Sequence, residues 1–184
     1  MASRPTSERA EPGGTPSLAE REMNALRTAV RGEGRRPGLA DVLPRLQRSH
    51  RKMLVRHEMW TKGELARHPE PREVIRSMRR PGNVDERRRV VQTFDARRVM
   101  VADVHENRVV RYTVEEVLTR LIVRSRNGEA EATALLRELD HAVATAPFLR
   151  EVGGLRSRPT EPTATLSGDP LYRTVFHALI GLPR

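Results

Sequence analysis

Asp103 and Glu106 stand three residues apart in the stretch Asp103-Val104-His105-Glu106-Asn107-Arg108, where carboxylate, imidazole, amide and guanidinium groups crowd together. Two carboxylates across a tight corner could share a divalent metal and position a water for hydrolysis. A metal-dependent nuclease asks for more: an Asp at one strand end and a Glu-x-Lys on the next. The chain has only two lysines, Lys52 and Lys62, and neither has a glutamate two positions earlier. The spacing therefore favours helix capping and local ion pairing at this corner over metal binding.

The other candidate groups fare no better. Six histidines are present. His50 and His57 are seven residues apart on what reads as one helix, hence about 10 Å apart by helical rise and too far to share a metal. No HExxH occurs, and His141 and His177 have no ligand spacing. Without a cysteine there is no thiolate ligand, nucleophile or disulfide. No G-x-S-x-G elbow is present, and Gly32, Gly34 and Gly38 lack both the phosphate-loop spacing and its lysine. The expectation is a chain with no catalytic residues, no metal and no cofactor of its own.

Arginine is the remaining chemistry. Of 34 basic residues 32 are arginine, and the net charge is +10. Residues 1–98 hold 23 basic and 13 acidic side chains, whereas residues 99–184 hold 11 of each, so the whole excess lies in the first half. Arg79, Arg80, Arg87, Arg88, Arg89, Arg97 and Arg98 are the dense positions, and guanidinium forks suit phosphate oxygens. Aromatic residues are almost absent among them, so contact would be to backbone rather than by stacking on bases. Arginine-rich coding bias is an equal alternative at this point.

The elements that must position these groups read as mainly helical. Apolar residues make up 37% and aromatics 3%, so a core must be built from Leu, Val and Ala, which suits about five helices with one short strand or hairpin before a long central helix. Residues 1–16 read as a disordered tail, residues 17–98 as a basic helical region and residues 99–184 as a helical domain. Ser17-Leu18-Ala19-Glu20 is a capping box that opens the first helix, and residues 32–38 form a flexible connector. Asp41 should cap a second helix whose stripe takes in Val42, Leu43, Leu46, Met53, Leu54 and Trp60. Residues 85–94 suit a helix or an edge strand almost equally. Residues 99–104 form a short strand, and from Asn107 the period changes to 3.6, with Val110, Val114, Val117, Leu118 and Leu121 on one face. Another helix follows over 129–146, and a last one begins at Asp169-Pro170 and ends at Gly181. No run approaches the roughly 20 apolar residues of a membrane span, and no secretory h-region opens the chain, so a soluble cytoplasmic protein is expected.

The stretch Asp103-Val104-His105-Glu106-Asn107-Arg108-Val109-Val110-Arg111, running into Glu115-Glu116-Val117-Leu118, resembles the D-x-x-E-N-R-hydrophobic signature of proteins related to the McrC subunit of McrBC-type restriction systems. The order that follows is similar too: a helix over Leu135–Ala146, the strap Pro147-Phe148-Leu149-Arg150-Glu151-Val152, and the helix opened by Asp169-Pro170-Leu171-Tyr172-Arg173. The likeness spans roughly residues 60–182 and is closest from Asp103 onward. It implies a role in defence against foreign DNA beside an AAA+ NTPase, and a PD-(D/E)xK nuclease domain that would begin about where this chain stops, at Arg184. No position here matches the nuclease residues, so none is carried over. The expected function is a non-catalytic helical module docking an AAA+ NTPase or nuclease partner, with contact to DNA backbone. The alternative is a stand-alone basic DNA-binding protein with a regulatory or architectural role. At the corner itself, Asp103 and Asn107 should cap the helix, and Arg108 or Arg111 should pair with Glu106 or Glu115.

Overall fold

Ser17 closes the capping box expected of it: its hydroxyl accepts from the Glu20 amide at 3.2 Å while its own amide donates to the Glu20 carboxylate at 2.6 Å. Helix α1 (Leu18–Arg31) follows. The computed structural model describes residues 16–67 and 69–183, without the side chains of His57, Glu58, Ala96 and Arg97. All but Pro16 of the expected disordered tail therefore lies outside the described residues.

The expected flexible connector is instead a tight hairpin, β1 (Gly32–Glu33) against β2 (Arg36–Pro37). Gly38 then passes so close to Val30 that a Cβ would sit 2.2 Å from the Val30 carbonyl oxygen, and that contact excludes any side chain. Helix α2 (Leu39–Ser49) has Gly38 rather than Asp41 at its N-cap; Asp41 lies in the first turn.

A larger departure comes after Ser49. Residues expected to prolong α2 form strand β3 (Met53–Lys62), paired antiparallel along its whole length with β4 (Gln92–Val101). Met53, Leu54 and Trp60 fit a helical stripe, yet they also fit a two-sided strand, and a short apolar run does not distinguish the two. The partner strand decides. Met53 meets Val101, Leu54 meets Met100, Val55 meets Val99 and Trp60 meets Phe94, pairs of β-branched, aromatic and Met residues that suit a pleated surface. The Trp60 and Phe94 rings touch edge to face, 5.7 Å between centroids. Of residues 85–94, only those from Gln92 join the strand; Asp85–Arg89 make a turn, bridged by Val84 and Val90. At the far end Gly63 donates to the Val91 carbonyl at 2.9 Å, and a Cβ on Gly63 would strike the Val90 carbonyl oxygen. Helix α3 (Pro71–Met78) packs back onto β4.

The chain returns from this ribbon into α4 (His105–Arg126), then α5 (Ala130–Ala144), a 3-10 strap at Pro147–Glu151, a short α6 (Ala164–Gly168) inside the expected polar loop, and α7 (Pro170–Gly181). Asp169 caps α7 as expected, accepting from Leu171 N at 2.8 Å. The fold is mainly α, with seven α-helices among the described residues. The core joins α1, α2, α4, α5 and α7 through Leu26, Leu43, Leu46, Val110, Val117, Leu121, Leu135, Leu139, Val175 and Leu179. Ala102 at the ribbon's base belongs to that core, and none of the described residues of 51–101 does.

The molecule is thus a helical body with a two-stranded arm, ten residues per strand, inserted between α2 and α4. Leu139→Ala, at a fully buried site on α5, should destabilise the body by about 2–5 kcal/mol, read from urea denaturation followed by far-UV circular dichroism.

Candidate functional site

The corner is where the arm joins the body, and Asn107 is at its centre. Being in the first turn of α4, its side chain is free to face the chain on either side of the ribbon. Its amide nitrogen donates to the Ala102 carbonyl at 2.6 Å, where β4 has just ended, and to the Arg51 carbonyl at 2.8 Å, just before β3 begins. Its amide oxygen accepts from the Tyr172 hydroxyl on α7. The same hydroxyl accepts from the Arg51 amide at 2.7 Å. Both amide protons, the amide oxygen and the phenol are therefore used, in a site where Asn107 is fully buried and Tyr172 nearly so. Burial pushes the Tyr172 phenol above its ordinary pKa, so it stays protonated and keeps its donor.

Glu106 and Asp103 turn to different partners. Glu106 accepts from Arg51 at 2.8 Å, and the same guanidinium nitrogen donates to Thr165 on α6. Asp103 accepts a two-pronged contact from Arg108, at 2.8 and 2.7 Å, and a third bond from the Gly153 amide at 2.8 Å. Those donors, Arg108 first and then the Gly153 amide, hold the Asp103 carboxyl down at about 2. Arg111 pairs with Glu115 at 2.7 Å and donates to the Val152 carbonyl, tying the strap to α4.

Two sequence expectations need correction here. Neither Asp103 nor Asn107 caps α4; its N-cap is Val104, which has no capping side chain. Asn107 is already inside the first turn, and its amide is committed to Ala102, Arg51 and Tyr172. Arg108 pairs with Asp103 rather than with Glu106 or Glu115, while the Arg111–Glu115 pair is as expected. The partners the sequence did not disclose are Arg51 and Tyr172, 56 and 65 residues from Asn107. Only the likeness of the Asp169–Arg173 helix to a family element pointed towards Tyr172.

His50 and His57, expected on one helix, lie on different elements. His50 ends α2 and stacks on Phe148, with ring centroids 4.5 Å apart, whereas His57 lies on β3. Among the described residues no three His, Asp or Glu side chains gather where a metal could be held. The only buried side-chain polar atom without a partner among them is Thr93 Oγ1, on the arm. The bonds of Asn107, Asp103 and Glu106 join Arg51, Ala102, Gly153 and Tyr172 at the corner, the geometry of a clamp.

The arginines singled out from the sequence all lie on the arm. Arg80 covers the Trp60 ring at 4.2 Å, Arg79 follows α3, and Arg98 faces Arg56 across the ribbon, an unfavourable juxtaposition of like charge that the Arg56–Glu70 pair offsets. Arg97 lies on β4, opposite His57. Arg87, Arg88 and Arg89 occupy the turn at the outer end, all exposed. Residues 51–101 carry 14 basic and 7 acidic side chains, most of the net charge of the chain.

Compared with protein-family models, curated proteins and solved structures, the chain matches none.

Removing the clamp should be costly. Asn107→Ala leaves the Arg51 carbonyl and the Tyr172 hydroxyl proton without their partner, while the Ala102 carbonyl keeps the Val104 amide; it should cost about 2–4 kcal/mol, and Tyr172→Phe about 1–2 kcal/mol. Because the two share a bond, the double variant should lose roughly 1 kcal/mol less than the sum in urea denaturation. The Asp103 contribution has a definite pH window. Its folded pKa is depressed, so its stabilisation is present above the unfolded value of about 4 and disappears as pH falls towards about 2. Asp103 is about a third exposed, which limits the effect to about 1 kcal/mol. Asp103→Asn should be less stable than the parent at neutral pH, and the gap between their urea midpoints should close across that window.

Proposed function

We propose that the chain is a non-catalytic helical module of a McrC-like restriction or defence protein, working in the cytoplasm, docking an AAA+ NTPase or nuclease partner and touching DNA backbone with its arm. The observation that carries this reading is the use made of the D-x-x-E-N-R motif. Asp103, Glu106, Asn107 and Arg108 each make their hydrogen bonds within the chain: Asp103 with Arg108 and Gly153, Glu106 with Arg51, and Asn107 with Arg51, Ala102 and Tyr172. A motif used that way holds an arm at a set angle, which is what a docking module requires.

The surface of the arm supports a protein partner. Met53 and Leu54 on β3 and Val99 and Met100 on β4 are exposed next to the body, and Ile75 and Met78 are exposed on α3. Apolar side chains gathered on a ribbon with unpaired edges are a usual feature of surfaces that become covered. The positive charge of the arm supports the DNA contact, and it would serve a stand-alone DNA-binding protein equally well. Among the described residues no helix is long and apolar enough to cross a membrane.

Co-purification separates the two. The tagged chain should bring down the product of a neighbouring gene, an AAA+ ATPase or a nuclease, in fixed stoichiometry, and Leu54→Glu with Met100→Glu should abolish the complex while leaving helical content unchanged. A monodisperse monomer without any such companion would leave the DNA-binding reading in its place.

A further inference from the structure

The turn at the outer end of the arm holds a residue in a conformation its side chain disfavours. Arg88 has φ +60°, and it is the only non-glycine residue with positive φ among the described residues. The turn is closed by the Arg88 amide donating to the Asp85 carbonyl at 2.9 Å and the Asp85 amide donating to the Arg89 carbonyl at 2.9 Å. The Asp85 carboxylate takes the Arg89 amide at 2.7 Å. This is a three-residue hairpin loop with a left-handed third position, where glycine fits without strain and asparagine nearly so. The chain instead places Arg there, between two further arginines.

The turn is also firmly seated. Asn83 at its base is buried; its side-chain amide donates to the Ser77 and Gln92 carbonyls at 2.8 and 2.6 Å and accepts from the Gln92 amide at 2.8 Å. Arg87, Arg88 and Arg89 themselves make no ion pair among the described residues, although Glu86 is adjacent. They stand beyond the last ribbon pair, Lys62 with Gln92, roughly 30 Å from the corner by strand rise. A base held by hydrogen bonds, a left-handed arginine and three guanidiniums without an ion pair among the described residues stand together at the outer end of the arm.

We propose that the Asp85–Arg89 turn is the element of the arm that contacts phosphates of double-stranded nucleic acid, with Arg88 kept in the left-handed position so that its guanidinium faces a different phosphate from those of Arg87 and Arg89. This rests on the DNA contact in the reading above and assigns it to one turn. Guanidinium forks match phosphate oxygens in two-pronged fashion, and the turn uses arginine with no lysine. It has no aromatic side chain, which disfavours single strands bound by stacking. The Val84–Val90 hairpin that carries the turn is two segments wide, narrow enough for a major groove. An acidic protein surface is the competing partner.

Arg88→Gly provides the test because it moves stability and binding in opposite directions. Glycine takes the same φ without strain, so the melting temperature should rise by about 2–4 °C or stay level. Affinity for a 20-base-pair duplex at low salt should fall roughly tenfold, and the slope of log K against log salt should decrease by about 1. Arg87→Gln with Arg89→Gln should deepen both losses with unchanged helical content. If the parent binds duplex and Arg88→Gly binds equally well, the assignment to this turn fails and the DNA reading survives. If the parent binds no duplex even at low salt, both fail. If polyglutamate of matched charge competes as well as duplex does, the partner is an acidic protein and the proposal is overturned.

Discussion

Two strands must leave the helical body and return to it within a few ångströms, and one side-chain amide makes that geometry unique. Asn107 bonds the backbone just before β3 and just after β4 at once, and it borrows the Tyr172 hydroxyl to satisfy its oxygen. Without this clamp the Arg51 carbonyl and the Tyr172 hydroxyl proton would lose their partner at the root of the ribbon, which a low-dielectric interior penalises. The register follows from the same place, because Arg51 and Ala102 flank the first ladder pair, Met53 with Val101. A slip of one residue would exchange the two faces of the arm.

Around the clamp, the outer bonds share the work of orienting α4. The two-pronged Asp103–Arg108 contact reaches Gly153, and Arg111 reaches Val152, so the strap after α5 is held to the same turn of helix. Glu106 and Arg51 reach α6. Four segments far apart in sequence therefore meet within one turn of α4. The arrangement is stiff at the base of the arm, where any load on the arm would be transmitted to the body.

The helical body was legible from the sequence because its signals are local. The Ser17 capping box, the Asp169-Pro170 start and the 3.6-residue spacing from Val110 to Leu121 each depend on a few neighbouring residues. The arm was not, because a strand is defined by its partner. Met53 to Trp60 become a strand through residues about forty positions later, and a helical stripe fits the same apolar positions until Val99, Met100 and Phe94 are set opposite them. The corner lies between these cases. Its residues stood out by type, and the Arg111–Glu115 pair could be read from i,i+4 spacing. The commitments of Asn107 could not, since its partners Arg51 and Tyr172 lie 56 residues before it and 65 after it.

The distribution of arginine then acquires a physical meaning that composition could not supply. Coding bias would spread arginine without regard to the fold. In the body, arginines repeatedly meet acids on other helices: Arg27 with Glu131, Arg31 with Glu138, Arg120 and Arg124 with Glu22. Their guanidiniums fasten helix to helix, and the count of acids matches theirs from residue 99 onward. On the arm the basic residues outnumber the acidic ones two to one, and the outermost three have no acidic partner among the described residues. The same residue type fastens helix to helix in the body and supplies the charge excess of the arm, where Arg56 and Arg76 pair with Glu70 and Glu73 but the outermost three have no such partner among the described residues. The boundary is the Asn107 clamp, so the fold separates a body of low net charge from a strongly cationic arm at the point where the arm is rooted.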